Sequence, residues 1–200
     1  MNFSQGSAAH FVPILARIAL CVIFIPAGWG KIMGERTFSG PEISVLQEIG
    51  AASKTEADAQ PAEIKMRPLY EDAILIKEHD LPYPVIGAWL VALTELLGGG
   101  LVLIGLFTRI MSMGFATIMG FGFALVSLPA MESSGGVFNL AEPIFYQAAA
   151  QIAIAALALG LLFSGAGSLS VDAAIFSHGR SVSRRDYADE FDADEEDYDE

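Results

Sequence analysis

Four ionisable residues lie in or beside stretches that are otherwise apolar enough to cross a bilayer: Arg17, Lys31, Glu95 and Arg109. A charged side chain at the membrane centre costs about 3 kcal/mol on insertion scales, so it marks a partner, a polar cavity or a proton site. Glu95 is the sharpest case. It stands midway along LPYPVIGAWLVALTELLGGGLVLIGLFTR, from Leu81 to Arg109. About twelve residues from either end at a helical rise of about 1.5 Å puts it roughly 18 Å deep. Arg17 lies roughly 9 Å in from the face where the Glu95 helix exits, and Lys31 only about 3 Å in from the opposite face. These depths predict Arg17 as the partner of Glu95. Three kinds of chemistry fit such a pair. It lines a cavity for a quinone head group, a proton or a small substrate; it fixes helix register without chemistry; or Glu95 is simply a neutral carboxylic acid.

The elements that must position these residues are helices of about 20 apolar residues, the length that crosses a bilayer's hydrocarbon. Four segments meet this requirement: 11–33, 83–107, 109–128 and 144–163. Pro13 opens the first, and Pro26 is expected to kink or break it near its end, where Trp29 and Lys31 suit the interface. The second and third are separated only by Thr108, a candidate N-cap, so they must form an antiparallel hairpin. Gly98, Gly99, Gly100, Ala116 and Gly120 read as packing positions, because small residues let helices approach closely in lipid. In the fourth span Ala149 with Ala153, and Ala156 with Gly160, form further small rows. Between the first two spans lies a polar loop, 34–81. Ile43, Leu46 and Ile49, then Leu69, Ala73 and Ile76, recur at helical spacing, so the loop is expected to form short surface helices that cap the bundle.

Composition agrees. Charged residues are 18% of the chain, against about a quarter in soluble domains, and they crowd into 35–80 and 180–200. Ten of the 24 acids lie in 186–200. That tail, 177–200, is expected to be disordered, while 1–176 forms one all-α membrane domain, a four-helix bundle of up-down topology. The net charge of −13 argues against nucleic acid, whose phosphates need clustered cations. The lone Cys21 excludes an intrachain disulfide and a CxxC pair. His10, His79 and His178 lie outside the spans, so no axial histidine pair for haem and no metal cluster is expected. No GxSxG, P-loop or GxGxxG occurs.

Three blocks resemble the DoxX family of small bacterial four-span membrane proteins. They are the first span with Arg17 and its AGWGKI ending, ELLGGGLVLIGLFTR from Glu95 to Arg109, and GAGSLSVDAAI from Gly165 to Ile175. By position, Arg17, Lys31, Glu95, Arg109 and Asp172 match the family's polar motif. The resemblance implies a multi-pass protein of the bacterial inner membrane, an accessory subunit of a quinone-linked redox complex that works with a protein partner. Quinone is the only cofactor suggested, and no catalytic residue is implied. A scaffold subunit without chemistry and, less favoured, a small-solute transporter are the rival classes. Positive residues are split between the two sides, and the Arg184–Arg185 pair after the last span places both termini in the cytoplasm.

Overall fold

A computed structural model describes residues 3–53, 63–136, 139, 141–167 and 170–176. The expected tail, 177–200, lies outside them. Four helices are long and apolar enough to cross a membrane, and they make up an all-α membrane bundle. Helix α1 (Phe3–Met33) packs mainly on α4 (Pro84–Ile104), and α5 (Thr108–Gly122) on α7 (Glu142–Ser164). The core between them holds Leu20, Phe24, Val102, Phe115, Ala158 and Leu161. Phe24 and Phe115 stack with ring centroids 3.9 Å apart.

Several boundaries move for local reasons. Helix α1 runs unbroken through Pro13 and Pro26, so the expected break at Pro26 does not occur. The third span continues past 128. A π-helical turn (Phe123–Ser127) follows α5 and leads into α6 (Leu128–Ser133), making one apolar run from Thr108 to Ser133. Pro129 has no N–H to donate, and the widened turn before it is a usual accommodation of such a gap. Helix α4 stops at Gly105, whose φ of 74° suits a glycine in a left-handed cap. Phe107 adopts φ 51°, which a bulky residue rarely does.

Close packing comes from a partly different set of glycines than the sequence suggested. A Cβ at Gly28 would stand 2.5 Å from the Leu96 nitrogen, and one at Gly99 would stand 2.7 Å from Ile25 Cγ1. These two contacts fix the α1–α4 register. Gly98 abuts Phe115. Gly100 and Gly120, expected at packing positions, face open space, because each points away from its neighbouring helix. Ala116 does pack on the core. The small rows of α7 (Ala149, Ala153, Ala156, Gly160) are exposed; its buried positions are Ala148, Ala158 and Leu161.

The loop 34–81 folds on itself more than expected. Strands β1 (Arg36–Ser39) and β2 (Glu63–Met66) pair antiparallel, with Phe38 opposite Ile64. Helix α2 (Pro41–Glu48) buries Ile43 and Leu46 against Phe38 and Ile74. Helix α3 (Leu69–Glu78) turns Leu69 and Ala73 onto Ile32, Ala88 and Ala92 of the spans. The two short helices exist as the periodicity predicts, but they stack in a small core docked on α1 and α4. Ion pairs of Arg36 with Glu42 and Glu71, and of Lys77 with Glu48, brace its rim.

Candidate functional site

Glu95 is 3% exposed on α4, so its carboxylate requires a partner. That partner is Lys31. Its Nζ lies 2.9 Å from Glu95 Oε1, and donates a hydrogen bond there. The expected pairing with Arg17 is therefore corrected. The depth estimate aligned the ends of the two spans. The glycine contacts instead slide α1 along α4, because Gly28 sits against Ala92 and Leu96. Lys31 is then less than one turn beyond Glu95, a reach its long stem covers.

The same ammonium is 2.9 Å from Asp72 Oδ2, which α3 supplies from the cap. Asp72 was missed in the sequence, though a signal existed. Leu69, Asp72, Ala73 and Ile76 share one face of α3, so an acid interrupts the apolar stripe. The cap thus completes a triad, Asp72–Lys31–Glu95, drawn from three elements. Two carboxyl groups thus share one ammonium. Glu95 Oε2 is buried, and no described residue donates a hydrogen bond to it.

The triad lies at the edge of a cleft of about 540 Å³. Apolar side chains of α3, α4, α5 and the π turn form most of its wall, including Leu75, Ile76, Leu90, Ile118, Phe121 and Leu125. The polar exceptions besides the triad are Thr117, Gln147 and Gln151. Ser127 Oγ donates to Gln151 Oε1 at 2.6 Å, which pins the amide beside the π turn. Gly122 makes room for it, since a Cβ there would be 3.0 Å from Gln151 Nε2. Gln147 and Gln151 are i, i+4 neighbours in an alanine-rich span, a polar row that sequence reading passed over.

The remaining motif residues gather at the opposite end of the bundle. Asp172, on the short α8 (Val171–Phe176), accepts the N–H groups of Phe107 at 2.9 Å and Thr108 at 3.0 Å. Its own N–H donates to the Gly105 carbonyl. Thr108 was expected to cap α5 with its hydroxyl. The cap instead comes from Asp172 across the chain, which also satisfies the strained Phe107. Arg17 is 4% exposed; its guanidinium fills the space beside Gly105 and is attracted by Asp172. Arg109 is exposed and lies beside Gly165, where an added Cβ would be 3.3 Å from its Nε. Thr108 and Ser112 carry buried hydroxyls to which no described residue bonds. The five motif positions therefore split into two clusters, Lys31 with Glu95 and Arg17 with Arg109 and Asp172. Only the first borders the cleft. Among the described residues no group of three His, Cys, Asp or Glu side chains could hold a metal.

A family model, DoxX, matches residues 12–128, more than half of the chain. The match includes the triad and most of the cleft, and it ends before α7 and the Asp172 cap. No curated protein and no solved structure matches the chain. With four apolar spans, the AGWGKI and ELLGGGLVLIGLFTR blocks and this match, the chain belongs to the DoxX family.

Proposed function

We propose that this DoxX-family membrane protein is an accessory subunit of a quinone-linked redox complex, and that its cleft receives the quinone head group. The observation that carries the reading is the Asp72–Lys31–Glu95 triad at the edge of an apolar cleft of about 540 Å³. Pockets that bury small ligands span roughly 300–1,000 Å³, with apolar walls and a few convergent polar groups. An amphipathic ring with an apolar tail fits that description. Lys31 would donate to one ring oxygen while Glu95 holds its ammonium in place, and Gln151 offers an amide to another. The bound group supplies the electron-carrying chemistry. The chain supplies binding, orientation and a charged triad that reaches from the buried carboxylate to the cap.

This reading puts the protein in the bacterial inner membrane with both termini in the cytoplasm, beside a partner that exchanges electrons with the bound quinone. The test is purification of the full chain in mild detergent, with extraction and quantification of bound quinone and identification of co-purifying proteins. Quinone near one equivalent, lost in Glu95→Gln, supports the reading. Absence of quinone and of any oxidoreductase partner overturns it. A reporter fused after Glu200 and active only outside the cytoplasm overturns the orientation.

A further inference from the structure

The cations at the cap end of the bundle fall into two sets. Among the described residues, Arg36 pairs with Glu42 and Glu71, Lys77 with Glu48, and Lys31 with Asp72 and Glu95. Lys65 and Arg67 have no described acid within 4.0 Å, and the acids at the ends of the hairpin, Glu35 and Glu63, do not reach them. Alternation along β2 sets the two on one side: Lys65 and Arg67 are exposed, while Ile64 and Met66 pack towards the small core of the cap. Arg67 lies over the ring of Trp89, 5.3 Å from its centroid. Trp89 is five residues into α4, so about 8 Å from the start of that helix. That is the level at which bilayer head groups meet indole rings, and the exposed Trp29 and Tyr83 stand near the same ends of α1 and α4.

Beyond Trp89 the same face of α4 continues with Leu93 and Leu97, which are 39% and 59% exposed. Residues four apart on a helix lie one above the other, so the three side chains form a track running from the head-group level into the hydrocarbon. None of them lines the cleft, which α4 borders through Leu90, Val91 and Glu95. Two cations, an indole and an apolar track therefore follow one another in the order of a phospholipid's own parts: phosphodiester, glycerol backbone, acyl chain. We propose that Arg67 and Lys65 hold the head group of an anionic phospholipid whose acyl chain lies along Trp89, Leu93 and Leu97. An indole has no acceptor oxygen, so the donors of the Arg67 guanidinium are left for phosphate oxygens, with which they form strong charge-assisted bonds. The cation–π contact fixes where those donors stand. Because this seat lies outside the cleft, it stands or falls separately from the quinone reading.

The chain has two tryptophans, so Trp29→Phe leaves Trp89 as the single indole reporter. The test reconstitutes this full-length variant in phosphatidylcholine vesicles that contain a minor share of chain-brominated phosphatidylglycerol or, at the same share, chain-brominated phosphatidylcholine. Quenching of Trp89 fluorescence then measures which lipid lies against it. Phosphatidylglycerol should associate at least about fivefold more strongly, the effect of one interfacial cation on an anionic lipid. Arg67→Gln with Lys65→Gln should bring that ratio near one. Lys77→Gln, which removes a cation already paired with Glu48, should leave it unchanged. Equal quenching by the two lipids overturns the proposal, as does a preference that survives the double substitution. An equal loss in Lys77→Gln reduces the preference to diffuse attraction and also overturns it. Inorganic phosphate at millimolar concentration should not relieve the quenching, since it has no chain to lie along α4; relief overturns the lipid as the occupant. If Trp29→Phe does not fold, the same comparison on the two-tryptophan chain, with and without the double substitution, decides.

Discussion

At the scale of single residues, the decisive contact is one ammonium shared by two acids. Removing one member of a buried ion pair leaves an uncompensated charge and costs roughly 3–5 kcal/mol. Lys31→Met should lie near the bottom of that range, about 3 kcal/mol, because Lys31 and Asp72 keep side-chain exposures of 25% and 27%. Unfolding of the detergent-solubilised protein by titrated denaturant measures it. A double-mutant cycle separates the two candidate partners of Glu95. Lys31→Met with Glu95→Gln should be strongly non-additive. Arg17→Met with Glu95→Gln should add to within about 0.5 kcal/mol, as sites without shared contacts do. Coupling of Arg17 to Glu95 as large as that of Lys31 would restore the pairing that depth alone suggested. The charge pattern made Glu95 conspicuous in the chain. Its partner was not legible, because counting residues from a span's end fixes depth only if the ends align.

At the scale of elements, register and turns carry the geometry. Gly28→Ala would push a methyl into the α4 backbone at Leu96, which cannot yield as a side chain can. Overpacking typically costs 1–3 kcal/mol, and this variant should lose at least about 2 kcal/mol while Gly100→Ala, facing open space, stays within about 0.5 kcal/mol. Thermal unfolding of the two variants side by side checks the contrast. The α4–α5 turn depends on Asp172. Asp172→Ala removes the acceptor of two N–H groups and should cost about 1–2 kcal/mol, the range of a lost helix cap, with faster amide exchange confined to 105–109. In the cap, the Lys77 ammonium is held above the ordinary lysine range by its hydrogen bond to Glu48. The folded value is the higher one, so this contribution is complete below the ordinary lysine range and fades as pH climbs through the raised value. Amide exchange of α2 should quicken in that alkaline window, and Glu48→Gln should remove the pH dependence. The short helices of the cap were readable from periodicity. Its hairpin was not, since β1 and β2 are four residues each and pair across a long intervening segment.

At the scale of the whole molecule, the surface of the spans is what lipid requires. Phe163 is 78% exposed, Val22 66% and Leu15 63%, areas that water would not tolerate in such number. The bundle has two ends of different character. One carries the docked cap and the triad; the other carries the Arg17–Asp172 cluster. Single cysteines placed at Ser39 and Ser133 should react with an impermeant thiol reagent from one side of the membrane, and a cysteine at Ser170 from the other. Labelling of all three from one side would contradict the up-down bundle. The charged cap belongs to the end that holds the cleft's acid, so changes in the cap should reach the cleft through Asp72.

The order of apolar and polar residues alone determined four membrane helices, their antiparallel succession and the anomaly at Glu95. These follow from local quantities: the length of an apolar run, the shortness of a connection and the cost of a charge in hydrocarbon. The tertiary structure decided which cation meets that charge, that a cap residue joins it, and that Gln151 lines the same cleft. Each of these depends on how far one helix slides along another and on where a folded loop docks. Both are set by steric contacts, at Gly28 and Gly99 above all, between residues far apart in the chain.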